Sequence, residues 1–457
     1  MMNTKSLRTL VVGACFGCLA PGLALAQSTY EPYTFNKIAG KAADPGSADG
    51  TNSAAQFNAP SYATVDSMGN LYVADWNNCT IRKMVPVDTN WVVTTLAGEA
   101  GSPGSADGTG SGARFGGPSG ITMDSAGNLY VVDGKNQTIR KMAPVGTDWE
   151  VTTLAGQTGS AGSADGTGSD ARFDWPAGVT VDPAGNLYVA DSNNNAIRKL
   201  APVGADWVVT TLAGQAGSAG SANGTNRAAR LDCPTDVAVE RAGNLYVADL
   251  GNGTIRKVTP MGTNWVVTTL TGKAGSFGSA DGTNGAARFY LPCAIAVDRA
   301  GNLYVMDGAN NTIRKVTPVG TNWVVTTLAG KAGSTGSTDG TGSAARFRSL
   351  DANAGVAGGV TTDRAGNLYV AEFFNHTIRQ GYRPLAIVSS GAGFGFNTGQ
   401  FGLTLTGPAG QTVVLDASPD LVNWESIWTN TFMVGALQFT DPNSGVYTHR
   451  FYRAQRP

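Results

Sequence analysis

The chain reads as an all-β protein: a six-bladed β-propeller closed by an N-terminal strand, followed by a small β-sandwich-like domain. Three observations carry that expectation. Gly-Asn-Leu-Tyr-Val recurs from Gly69, Gly127, Gly185, Gly243, Gly301 and Gly366, at spacings of 58, 58, 58, 58 and 65 residues. Self-similarity at a fixed period marks a repeat architecture. Each unit then holds four short runs of strand character, which alone could not bury their two apolar faces. Neighbouring units must therefore stack as blades around a central channel.

From the N-terminus, residues 1–26 read as a secretory signal. Lys5 and Arg8 give a positive start, an apolar stretch follows, and Ala24-Leu25-Ala26 is a small-x-small cleavage site. The apolar run is too short and too broken by Gly and Pro to span a bilayer, and no later segment is long enough. The expected location is secreted, periplasmic or cell-surface, after cleavage near Ala26.

Within a unit, residues 178–182 form the first expected strand, and 187–190 the second, apolar enough to be covered on both faces. Residues 196–200 form the third, and 207–213, rich in Val and Thr, the fourth. A Gly/Ser-rich loop of about 20 residues leads to the next unit. The fourth-strand motif begins at Trp91, Trp149, Trp207, Trp265 and Trp323, and the sixth unit lacks one. Residues 33–40, 58 positions before that first Trp motif, match it. The N-terminal segment is thus expected to be the missing outer strand of the last blade, and residues 33–383 the propeller.

Composition narrows the function. Only 14% of residues are charged, the net charge is -1, and there are 62 glycines. Such a chain lacks the surplus of Lys and Arg needed to neutralise phosphates, so no nucleic-acid partner is expected. Its 42% hydrophobic content supports a packed core. His376 and His449 are the only histidines, which excludes a His-rich metal site; no metal and no cofactor are implied. Cys79, Cys233 and Cys293 follow the leader. They read either as buried small apolar residues or, for Cys233 and Cys293 near equivalent prolines, as a bridge.

The run Ala171-Arg172-Phe173 to Pro176, then 178–182, Gly185 to Asp191, Asn194 to Lys199 and Val209 to Gly214, resembles the NHL repeat. The resemblance recurs six times over about 350 residues. It implies a six-bladed propeller and a range of activities, from protein- and RNA-binding modules to receptor sensor domains and an amidating lyase. The lyase relatives use a His-based metal site, which His376 alone cannot supply.

Candidate site residues lie where a unit departs from the repeat. The acid ending the second strand and the Arg of the third, such as Asp191 and Arg198, occur in every blade and read as a structural pair. The Ser-Ala-Asp-Gly loops lack calcium-ligand spacing, and their Asp is expected to bond its own backbone. By contrast, Trp76, Asp174, Trp175, Asp232, Tyr290, Phe373 and Phe374 break the pattern on the loop face. Rings beside carboxylates suit a glycan or peptide surface; the alternative is that the rings pack under the loops.

After Pro384 the composition changes. Residues 384–400 read as a linker and 401–457 as the β-sandwich-like module, with five short strands that loosely resemble accessory modules of exported bacterial proteins. Its role is attachment to a surface or glycan, or passive capping. The whole is expected to be a monomeric, non-enzymatic binding or scaffold protein holding a protein, peptide or glycan on its loop face. The rival readings are a propeller lyase or lactonase with a carboxylate-bound metal at the channel mouth, and an adhesive surface protein.

Overall fold

A computed structural model describes residues 12–15, 33–348, 358–383, 385–388, 395–397, 400–407, 412–432, 436–447 and 449–455. The chain divides into two compact units, 34–363 with 368–381, and 1–33 with 364–367 and 382–457.

The first unit is a ring of six antiparallel sheets. In blade 3 the strands run from the axis outward as Pro176–Val181, Leu187–Asp191, Ala196–Val203 and Asp206–Gly214. Each inner strand touches the next, and that of blade 6, Val360–Thr362, touches that of blade 1, Pro60–Val65. The core lies between blades. Tyr188, Ala190 and Ile197 of blade 3 meet Val237, Leu245 and Val247 of blade 4 in one buried cluster. In blades 1 to 5 the tryptophan near the start of the outer strand meets a tyrosine of the preceding blade edge-on, as Trp265 does Tyr188 at 5.9 Å.

The sheets have five strands rather than the expected four. The long loop crosses the outer edge of the blade it is about to enter, and two of its residues pair there: Gly166 opposite Val209 and Thr167 opposite Val208 in blade 3. A bare outer edge would be a template for aggregation, and this short strand covers part of it.

The N-terminal strand, Thr34–Gly40, is the expected latch. It lies in blade 6 between Thr377–Tyr382 and the short strand Gly340–Thr341. Thr34 faces Thr341 and Phe35 faces Gly340. The Lys37 amide donates to Asp339 at 2.9 Å, and Arg379 donates to the Phe35 carbonyl at 3.2 Å. Gly381 leaves room for Phe35, since a Cβ there would run into the ring.

A second joint closes the ring. The amide of Trp175, entering blade 3, donates to Gln137 Oε1 of blade 2, and that of Cys233 to Asn195 Oδ1. At the closure Ala59 donates to His376 Nδ1 at 3.0 Å, so the imidazole is neutral there. Burial, with the Arg348 charge, lowers the His376 pKa below its ordinary 6.5. Between those two values the unfolded chain binds a proton that the folded chain does not. Stability from this joint is therefore present above about pH 6.5 and falls away as the pH drops. His376→Asn, which copies Asn195, should leave the neutral melting temperature within a few degrees and flatten its decline between about pH 7 and pH 5. Melting curves of the two proteins across that range provide the check.

In the second unit two small sheets share a core that includes Ile387, Phe401, Leu403, Leu415, Phe432 and Tyr452. Gln400–Thr406 pairs with Ala386–Val388, Gly395–Asn397 and Ala436–Asp441. Thr412–Ser418 pairs with Glu425–Thr431 and His449–Gln455. Residues 1–11 and 16–26 of the expected leader lie outside the described residues, as do 349–357, within the stretch between Arg346 and Gly358 that holds the sixth unit's seven extra residues, and most of the expected linker. Val12–Cys15 pairs with His449–Gln455, Val12 opposite Tyr452, an edge that cleavage after Ala26 would free. Cys79, Cys233 and Cys293 are free thiols, so Cys233 and Cys293 form no bridge.

Candidate functional site

The charged pair of each blade is structural, as its repetition suggests. In blade 3 Arg198 donates to Asp191 at 2.7 Å, to the carbonyls of Arg172 and Ala164, and to Asp165. Its guanidinium stacks 5.2 Å from the Phe173 ring centre. Asn194 donates to the Gly162 carbonyl and to the same Asp191 oxygen, while the Asp174 amide donates to the other. Burial pushes the Asp191 carboxyl up to about 6, against the lowering pull of Arg198 and Asn194. The polar runs of the repeat thus converge on one buried cation that staples the long loop to its own blade. The loop aspartate does not bond its own backbone as expected. Asp165 accepts from Arg198 and from Thr211 of the outer strand, because the loop lies across that strand.

The seven irregular residues do not form one patch. Trp76 and Phe373 are buried together with Ala59, and Trp175 and Phe374 pack against them. The indoles of Trp76 and Trp175 lie 6.1 Å apart, and Lys135 sits 5.1 Å over the Trp76 ring. Tyr290, 41% exposed, pairs instead with Phe277 on blade 5. Asp174 accepts from Asn193, and Asp232 lies against Gly251. Packing therefore accounts for Trp76 and Phe373. Trp76 and Trp175 do line the recess at the loop-face mouth of the channel, with Ser61, Ser119, Thr235 and Leu250. Trp175 holds φ +51, a left-handed conformation that Ala59, Cys233 and Leu291 share at the same position of their blades and that Gly would adopt freely. Thr235 Oγ1 is buried without a partner among the described residues.

A feature missed in the sequence closes that recess below. Tyr62 of blade 1 reaches across the axis to Asp236 of blade 4, with its hydroxyl 2.6 Å from Oδ2. The amides of Ile295 and Val237 also donate to this carboxyl, each at 2.8 Å. Neighbouring blades have small residues here: a Cβ at Gly359 would strike the Tyr62 ring, and one at Gly178 would strike Asp236. Burial pushes Asp236 up to about 7, against those three donors, and no cation among the described residues faces it; burial and the nearby Asp236 raise the Tyr62 phenol. The bar separates the mouth recess from a second chamber at the opposite end of the inner strands. Aligning the first strands reveals the signal, because Tyr62, Gly120, Gly178, Asp236, Ala294 and Gly359 share one position.

Six such blades around an axial channel define a β-propeller. The family model of the Teneurin NHL domain matches residues 164–381, and that of the NHL repeat matches 115–142. The chain belongs to the NHL-repeat propellers. It is 37% identical over 139 residues to NHL repeat-containing protein 2 of Bos taurus, covering 28% of this chain and 18% of that protein. It is 26% identical over 293 residues to Teneurin-1 of Mus musculus, covering 56% and 10%. The match thus spans less than a fifth of each relative's length. A solved structure described as an auxiliary nutrient binding protein from Bacteroides ovatus shares the fold, with a TM-score of 0.56, 18% identity and 77% of each chain covered. Among the described residues, no helix is long and apolar enough to cross a membrane.

Proposed function

We propose that this is an exported, non-enzymatic binding protein that holds a protein, peptide or glycan ligand at the loop-face mouth of its propeller. The observation that carries the reading is the half-buried Trp175 indole, backed by the packed Trp76, beside the unpartnered Thr235 hydroxyl over a recess floored by Tyr62. Trp175 puts a half-buried ring at a position where other blades carry Ala59, Gly117, Cys233 and Leu291. Rings bring contact area with little entropy loss, and a buried orphan hydroxyl gains from a partner.

The test is a peptide and glycan array probed with wild type and Trp175→Gly, which relaxes the backbone and removes the ring. Expected is retention of defined ligands by the wild type and a loss of roughly tenfold or more in the variant, about 1.4 kcal/mol. Unchanged retention would overturn the site. A stoichiometric metal in the purified protein would move the reading to the lyase or lactonase alternative.

A further inference from the structure

We propose that the second chamber, on the face opposite the long loops, is a binding site for an uncharged cyclic polyol of monosaccharide size. The chamber opens to solvent, has a volume of about 150 Å³ and is lined by the inner strands of all six blades. Apart from the Tyr62 phenol, no ionisable side chain lines it. Ligands with a full charge would lose hydration there without gaining a counter-charge.

The wall has two unlike sides. Thr361, Thr64, Thr122 and Thr180 come from the consecutive blades 6, 1, 2 and 3, and none of their hydroxyls bonds another described residue. At the same position blades 4 and 5 carry Ala238 and Ala296. Each inner strand pairs on one side only, so main-chain donors and acceptors also border the axis. The roof is the Tyr62 ring, fixed by its hydrogen bond to Asp236. A sugar ring has that same division, with hydroxyls at its edge and C–H groups on its face. The hydroxyl edge meets the threonine arc, while the C–H face meets the alanines and the aromatic roof. An apolar guest would leave the hydroxyls unmatched, and an ion would meet no partner.

This site is independent of the loop-face mouth, and the two can fail separately. Saturation-transfer NMR and calorimetry on the full chain would use D-glucose, D-galactose and D-mannose as probes, with glucuronate, glucosamine and cyclohexanol as contrasts. Expected is saturable binding of at least one neutral hexose, and binding of the charged and apolar contrasts weaker by roughly tenfold or more. Thr122→Val with Thr180→Val, isosteric changes at half-buried positions, should weaken the hexose by a similar factor and leave the melting temperature within a few degrees. Trp175→Gly should leave hexose binding unchanged. The proposal is overturned if no neutral hexose saturates at tens of millimolar, if glucuronate or glucosamine binds as well, if the double Val variant binds as wild type does, or if Trp175→Gly abolishes binding.

Discussion

A chain beginning at residue 45 should not give a closed, cooperatively melting propeller. Without Thr34–Gly40, the strand Thr377–Tyr382 loses its outer neighbour, and the short strand Gly340–Thr341 has nothing to pair with. Phe35 is wholly buried, edge-on to Phe347 at 5.1 Å, and Ile38 and Ala39 are buried too. Each large side chain contributes about 1.5–3 kcal/mol. Phe35 and Ile38 together therefore approach the net stability of a whole domain, about 5–15 kcal/mol. The shortened protein should elute as aggregate or melt without cooperativity, as size-exclusion chromatography and calorimetry would record. A sharp transition near that of the intact protein would refute the latch.

The second large effect separates two blades that look alike. Asp249→Ala in blade 4 and Asp307→Ala in blade 5 remove the same bonds: one to a loop amide, one to an asparagine and one to the arginine. Arg314 keeps Asp281 at 2.8 Å, but the counterpart of Asp281 in blade 4 is Asn223, which is neutral. Asp249→Ala thus leaves Arg256, with no exposed side-chain surface, without an anion. Stranding a buried charge costs about 3–5 kcal/mol. Asp307→Ala should cost less by about 1–2 kcal/mol, a margin limited by the half-exposure of Asp281. Urea unfolding near pH 8, where both carboxylates are ionised, measures the difference. Equal losses would show that the loop aspartate does not share the charge.

The ring was legible because its grammar is local. The Gly-Asn-Leu-Tyr-Val spacing sets the blade count, and the match between residues 33–40 and the Trp91 motif reveals the latch across more than 300 positions. The pairing of Asp191 with Arg198 was legible for the same reason, since it repeats. The axial bar was not. Tyr62 and Asp236 lie 174 residues apart, and each looks like one irregular position in a short strand. Only the geometry of the ring makes blades 1 and 4 face each other. Departure from the repeat identifies an unusual environment but does not by itself distinguish a ligand surface from a packed cluster, as the buried Phe373 shows.

The latch also orders events in time. Thr34–Gly40 leaves the ribosome before the other strands of any blade, yet its partner strand ends at Tyr382. Throughout synthesis this apolar segment must remain extended and unsatisfied, while five finished blades accumulate behind it. Contacts so remote in sequence form slowly, and an unpaired strand invites capture by another chain. A segment made before every blade is thus the last to find its place, and the ring stays open until it does.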